Sequence, residues 1–302
     1  MDLTALFRLP ATEQLHHSKT RRIHTALNAS ATALTVTHPA AGYALAHHAL
    51  EGAERAARNA DADTFRWYTQ NPDVNAAALT TKTNTFPVVL APPPDHLLET
   101  ATSQAAFYII SPSTAPAPER LQHMTRTAFG LAAATGFGAL LSAHSNVACL
   151  LSHKPLAGTL RSWTTNRLPG TVFTDYTDHP AVLARDLIHE AGHNWLNDAL
   201  TATGTEINGK EEFFSPWKGT LRPAFGFLHA CWAFPLMMIY AAHALDNDQA
   251  EPEMHRFLAA HIDQQRTHLA STATDHARAL DLIHNAELQH RLRSAYHEAS
   301  AL

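Results

Sequence analysis

Only two cysteines, Cys149 and Cys231, occur in 302 residues, so no disulfide framework can form and a reducing cytosol is the expected compartment. Charge is sparse as well. Asp, Glu, Lys and Arg make up 16% of the chain, the formal net charge is -5 and the signs are interspersed, which argues against a nucleic-acid surface. The N-terminus MDLTALFRLPATEQLHH lacks a basic start followed by an unbroken apolar run, so no secretory signal is expected. Long apolar runs are missing too. The longest, ACWAFPLMMIYAAHAL (Ala230 to Leu245), is short for a membrane span and carries Pro235 and His243, so it reads as a buried helix and predicts no membrane contact. There is no internal repeat and no long linker, and no feature specifies an oligomeric state.

A hydrophobic content of 45% in a chain of this length suffices for a sizeable core. The pattern predicts one domain over 1–302, with a mainly helical part to 155, a motif-bearing region over 156–250 and C-terminal helices from 251. HPAAGYALAHHALEGAERAARNADADTFRWYT has helical apolar spacing, FPVVLAPPPDHLLETA reads as a short strand and Pro cluster before a helix, and GTVFTDY reads as a strand. The apolar stretch from Arg120 runs through Gly breaks into a β-branched piece at Val147 to Leu151. In TDHP, Asp178 is the expected N-cap and Pro180 the first-turn residue of the next helix. The expected fold is mainly α with a small β element, an α+β class.

Histidine is abundant, with 22 copies, so any single one is by default an ordinary surface or core imidazole. One pair stands out. In ARDLIHEAGHNWLNDAL, His189, Glu190 and His193 form a His-Glu-x-x-His signature inside a helical pattern, zincin-like in its local motif. Residues four apart on a helix lie about 40° apart around the axis and about 6 Å along it, so both imidazoles can meet one ion. Glu190 adjoins that face, where a carboxylate can hydrogen-bond a metal-bound water. The apolar residues Leu183, Leu187, Ile188, Ala191 and Leu196 would bury the site.

The third ligand is open. The short-spacer zinc peptidases are excluded because Leu196 and Ala199 stand where they carry Gly and His. A glutamate from downstream is one option, with Glu212 in GKEEFFSPW at a plausible distance and Glu211 and Glu206 nearby. The other is His229 in the apolar segment RPAFGFLHACWAF.

HEAGHNWLN (His189 to Asn197), SPW (Ser215 to Trp217), RP (Arg222-Pro223) and GFLHACWAF (Gly226 to Phe234) together resemble a family named for this signature. These are the His-Glu-x-x-His peptide-modification proteins encoded with ribosomally made peptide natural products. The segment that carries them, 189–234, covers about a sixth of the chain. The resemblance implies iron(II)- and 2-oxoglutarate-dependent hydroxylation of the β-carbon of a residue in a precursor peptide, and it favours His229 as third ligand. Zinc peptidase chemistry with Glu190 as general base, or a metal-stabilised binding protein for a leader peptide, are the alternatives.

A 2-oxoglutarate site needs a cation for the distal carboxylate. Arg222, whose planar fork suits bidentate binding, is the first candidate and Lys218 the second. Trp217 and Trp195 are candidate pocket walls. Asn194, Asn197 and Asp186 are candidates to orient a ligand or the keto acid.

Overall fold

The computed structural model describes residues 2–28, 39–70, 79, 87–100, 103–207, 210–246 and 252–302. Its helices are α1 (Leu3–Phe7), α2 (Pro10–Ala26), α3 (Pro39–Arg58), α4 (Ala62–Gln70), α5 (Glu119–Ala134), α6 (Gly138–His144), α7 (Pro180–Ala202), α8 (Ala224–Asp246), α9 (Pro252–Ser271), α10 (Ala273–Leu280) and α11 (Ala286–Ser300). Its strands are β1 (Val88–Leu90), β2 (Leu98–Thr100), β3 (Ser103–Phe107), β4 (Val147–His153), β5 (Ser162–Trp163), β6 (Thr171–Tyr176), β7 (Glu212–Ser215) and β8 (Thr220–Pro223). The α+β class expected from the sequence is the one observed.

The central sheet has the order β1-β4-β6-β5, with β1, β4 and β6 parallel and β5 antiparallel at one edge. Its strands are apolar on both faces because both faces are covered. Val89, Ala148, Leu150 and Val172 join the core that contains α7, whereas Val88, Leu90, Val147, Cys149 and Phe173 join a second core with Ala44 and Leu45 of α3. The period-two alternation of a strand sorts these neighbours onto opposite faces. β6 feeds directly into α7, so the sheet sets the position of the signature helix.

α7 starts at Pro180 as expected, but its N-cap is His179 and not Asp178. The Asp178 carboxylate instead accepts from Arg120 at 3.2 Å and His153 at 3.0 Å on the surface, a solvated pairing that competes with capping. The helix expected after the Pro cluster is also absent. Pro94–His96 form a single 3-10 turn, and β2 then pairs antiparallel with β3, with Leu98 opposite Phe107. An apolar cross-strand partner outweighs a helical pattern this short.

α8 has 23 residues, longer than the apolar run suggested and long enough to cross a membrane. Yet 89% of its most apolar window is buried within the fold. It packs on α7 and is wrapped on its other sides by α9, α10 and α11, which is where the C-terminal helices go. Gly192, inside the signature, is the point of closest approach. A Cβ there would stand 3.0 Å from Leu236 Cδ1 and 3.5 Å from Trp232 Nε1, and that indole donates to the Gly192 carbonyl at 2.9 Å. Gly192→Ala is therefore expected to wedge α7 from α8 and cost about 1–3 kcal/mol, read from the denaturant midpoint. An unchanged midpoint would show that the two helices can relax freely.

Candidate metal centre

The two signature histidines point the same way from consecutive turns of α7. His189 Nε2 and His193 Nε2 lie 3.1 Å apart, and the rings meet edge to face. Two nitrogens bound to one ion at about 2.1 Å stand roughly 3.0–3.4 Å apart, so this spacing fits adjacent ligands. His229 reaches the pair from α8, but from the other side. Its Nδ1 lies 3.0 Å from His193 Nδ1, while its Nε2 is buried without a hydrogen-bond partner. The three imidazoles thus form a chain through both nitrogens of His193 and do not converge on a point. A single ion between all three requires a ring to turn.

Burial is the main force that holds all three rings neutral, and it is aided at His189 by His193 and Arg185, at His193 by Arg222 and Lys218, and at His229 by His193 and Arg222. His193 is lowered to about 4, and His189 and His229 fall well below the ordinary imidazole value. Neutral imidazole is the form that binds metal. Glu190, also buried, accepts a 2.7 Å hydrogen bond from Ser162 Oγ, and its Oε1 stands 3.9 Å from His189 Nε2. Burial pushes its carboxyl up to about 8, against the Ser162 bond and Lys218.

His229 lines neither of the two adjoining cavities that the other groups share. The smaller, about 240 Å³, holds His189, Glu190, His193, Trp217, Lys218 and Arg222. The larger, about 910 Å³, shares His189, Glu190 and Lys218 with it and extends along β5 past Arg161 to Trp163. The cations come from the β7–β8 hairpin, a segment whose strands the sequence reading missed. Phe213 pairs with Arg222 across it, and Gly219, at φ +64°, closes the turn. Glu211-Glu212-Phe213-Phe214 has no period-two alternation of polar and apolar residues, so the burial of Phe213 beside exposed Phe214 is visible only in the fold.

Arg222 lies against Gly226, where a Cβ would meet the guanidinium at about 3 Å, and no carboxylate pairs with it among the described residues. Lys218 is exposed at the cavity mouth. Trp217 is a wall, stacked on Phe234 at 4.8 Å, with its Nε1 donating to Gln265 Oε1 at 2.7 Å. Phe234 in turn meets His189 edge-on at 4.8 Å.

Several expected partners lie elsewhere. Glu212 is exposed on β7 and lines neither cavity, because strand alternation turns it away from buried Phe213. Asn194 turns away from the signature histidines, and its amide donates to the His144 carbonyl at 2.9 Å. Asn197 lines a different cavity, together with Tyr43 and Asp198. Asp186 does line the larger cavity, but it pairs with Arg185 at 2.7 Å and not with His189. Trp195 is core, stacked on Trp232 at 4.6 Å and bonded to the Phe7 carbonyl. Ser162 and Phe234, both in contact with the site, were not foreseen, and no local spacing marks them.

Among the described residues, the one group of three ligand-type side chains whose atoms all lie within 4.8 Å of one another is His16, His144 and Asp198, not the signature histidines. In comparisons with known proteins, no family model matches the chain and no curated protein matches it.

Proposed function

We propose that this protein is an iron(II)- and 2-oxoglutarate-dependent hydroxylase acting on the β-carbon of a residue in a ribosomally made precursor peptide, as the resemblance to the His-Glu-x-x-His peptide-modification family implies. The observation that carries the reading is Arg222. A guanidinium without an acid partner among the described residues lines the same small cavity as His189 and His193, where a dicarboxylate would satisfy both it and a metal. His189 and His193 would hold the ion, with His229 the third imidazole in reach. Bound iron(II) would supply oxygen activation coupled to 2-oxoglutarate decarboxylation, which needs open coordination positions.

The chain's own residues have separate tasks. Arg222 binds the distal carboxylate of the keto acid, Lys218 adds charge at the mouth, and Trp217 with Phe234 keeps water from one wall. β5 is the edge strand of the central sheet among the described residues and borders the larger cavity, where an extended peptide can add as a strand. A zinc peptidase is the second reading. It is favoured by Glu190, a buried carboxyl held by Ser162 beside His189, which a bound cation would return to the ionised form that a general base on a metal-bound water requires.

The deciding experiment loads anaerobic protein with iron(II) and 2-oxoglutarate, adds candidate precursor peptides and admits oxygen. A product heavier by one oxygen, about 16 Da, together with succinate is the expected result. Shortened fragments formed with zinc alone would transfer the assignment to the peptidase. Arg222→Ala is expected to raise KM for 2-oxoglutarate at least about 30-fold with metal content unchanged, the low end of losing a buried charge partner. Gly226→Ala, which displaces the guanidinium without removing it, should raise KM less.

A further inference from the structure

We propose a second metal site on the far face of α7, formed by His16, His144 and Asp198 and suited to a divalent transition ion of the zinc and iron(II) class. It is independent of the signature histidines. Asp198 Oδ2 lies 2.9 Å from His16 Nε2 and 3.1 Å from His144 Nδ1, and all three ligand atoms fall within 4.8 Å of one another. Those separations match adjacent ligands around one ion with bonds of about 2.1 Å. All three side chains are buried, at 3%, 2% and 4% exposure.

No Lys or Arg pairs with the charge of the buried Asp198 carboxylate among the described residues. Its remaining oxygen has only the Tyr43 hydroxyl, at a long 3.4 Å. A divalent cation would offset that charge. Two histidines and one carboxylate are a donor set of borderline softness, which selects zinc and iron(II) over calcium or magnesium.

Asp198 and Tyr43 line a cavity of about 640 Å³, together with His47, whose Nε2 is buried without a hydrogen-bond partner. Metal-free, each imidazole donates its N–H to the carboxylate. Loading moves those protons to the opposite ring nitrogens or to solvent and leaves the ion on the vacated lone pairs. The ligands come from α2, α6 and α7, so the ion would pin the N-terminal helix to the back of the signature helix.

The test is cobalt(II) titration of the full chain, followed by visible absorption and by metal analysis after desalting. Wild type should take up two equivalents. The His189→Ala/His193→Ala double variant should retain one, and X-ray absorption on its zinc form should show imidazole plus oxygen ligation. His16→Gln in that background should lose it, with the circular dichroism spectrum confirming that the chain is folded. Should His16→Gln fail to fold, the double variant alone decides. No ion retained there at equimolar metal, or an ion retained after His16→Gln in folded protein, overturns the proposal and leaves a hydrogen-bonded network only.

Discussion

Replacing His193 with alanine is expected to remove metal from the signature site and every metal-dependent activity with it. His193 is the centre of the imidazole chain, touching His189 through Nε2 and His229 through Nδ1. Removing an outer partner of a metal ligand costs roughly 10–100-fold in affinity, and removing a ligand shared by both neighbours should exceed that. The substitution also leaves two buried ring nitrogens without partners, which adds about 1–3 kcal/mol of destabilisation for each group left unsatisfied. The measurement is metal bound per chain after desalting, beside product formation and a denaturant melt. Wild-type stoichiometry and activity in the variant would show that the motif is not the metal site. His193→Asn, which keeps one polar partner, should recover part of the stability and none of the metal.

Acidification should unfold the protein, through histidines that have no part in the site. His48 is 2% exposed, accepts the Ile110 N–H at Nδ1 and donates from Nε2 to Thr171 Oγ1. A second proton on this ring must displace the Ile110 bond, and burial lowers its pKa to about 3. His276, 4% exposed and stacked 3.8 Å from Tyr296, is also lowered to about 3, by burial and by the nearby His297 and Arg293. Both stay neutral in the fold while the unfolded chain takes up protons from about pH 6.5 downward. Their stabilisation is complete above that pH and is lost progressively toward the folded value of about 3, with the unfolded state binding the extra protons. At pH 5 the loss is about 2 kcal/mol for each, a large fraction of the stability of an ordinary domain. Denaturant midpoints between pH 7.5 and 5 check this. A flat profile would refute it, and His48→Gln should shallow the slope if this ring carries its share.

The legible features were those that depend on near neighbours in the chain. The strand Thr171–Tyr176, the break between α5 and α6 and the start of α7 at Pro180 all follow from β-branched content, glycine and a fixed proline φ. The failures have a common cause. Asp178 looked like a cap but found Arg120, 58 residues away, and the Leu97–Thr100 segment looked helical but found a strand partner in β3. Asn194 sits one residue from His193, and sequence distance alone assigned it to the same site. A helix rotates about 100° per residue, and that turn delivered Asn194 to the His144 carbonyl, away from the signature histidines.

The same division runs through the metal chemistry. That His189 and His193 share one face of α7, with Glu190 beside them, is a property of helical pitch and could be read from four letters' spacing. Which side chains meet that face, and from which side, depends on how α8 and the β7–β8 hairpin pack against α7. Packing brought Arg222 and Trp217 to the cavity, left Glu212 in solvent and set His229 against the wrong nitrogen of His193. It also joined His16 to Asp198 across 182 positions, a contact with no local pattern behind it. Local geometry is written in periodicity, but the meeting of distant side chains follows from which apolar faces bury one another, and that balance belongs to the whole fold.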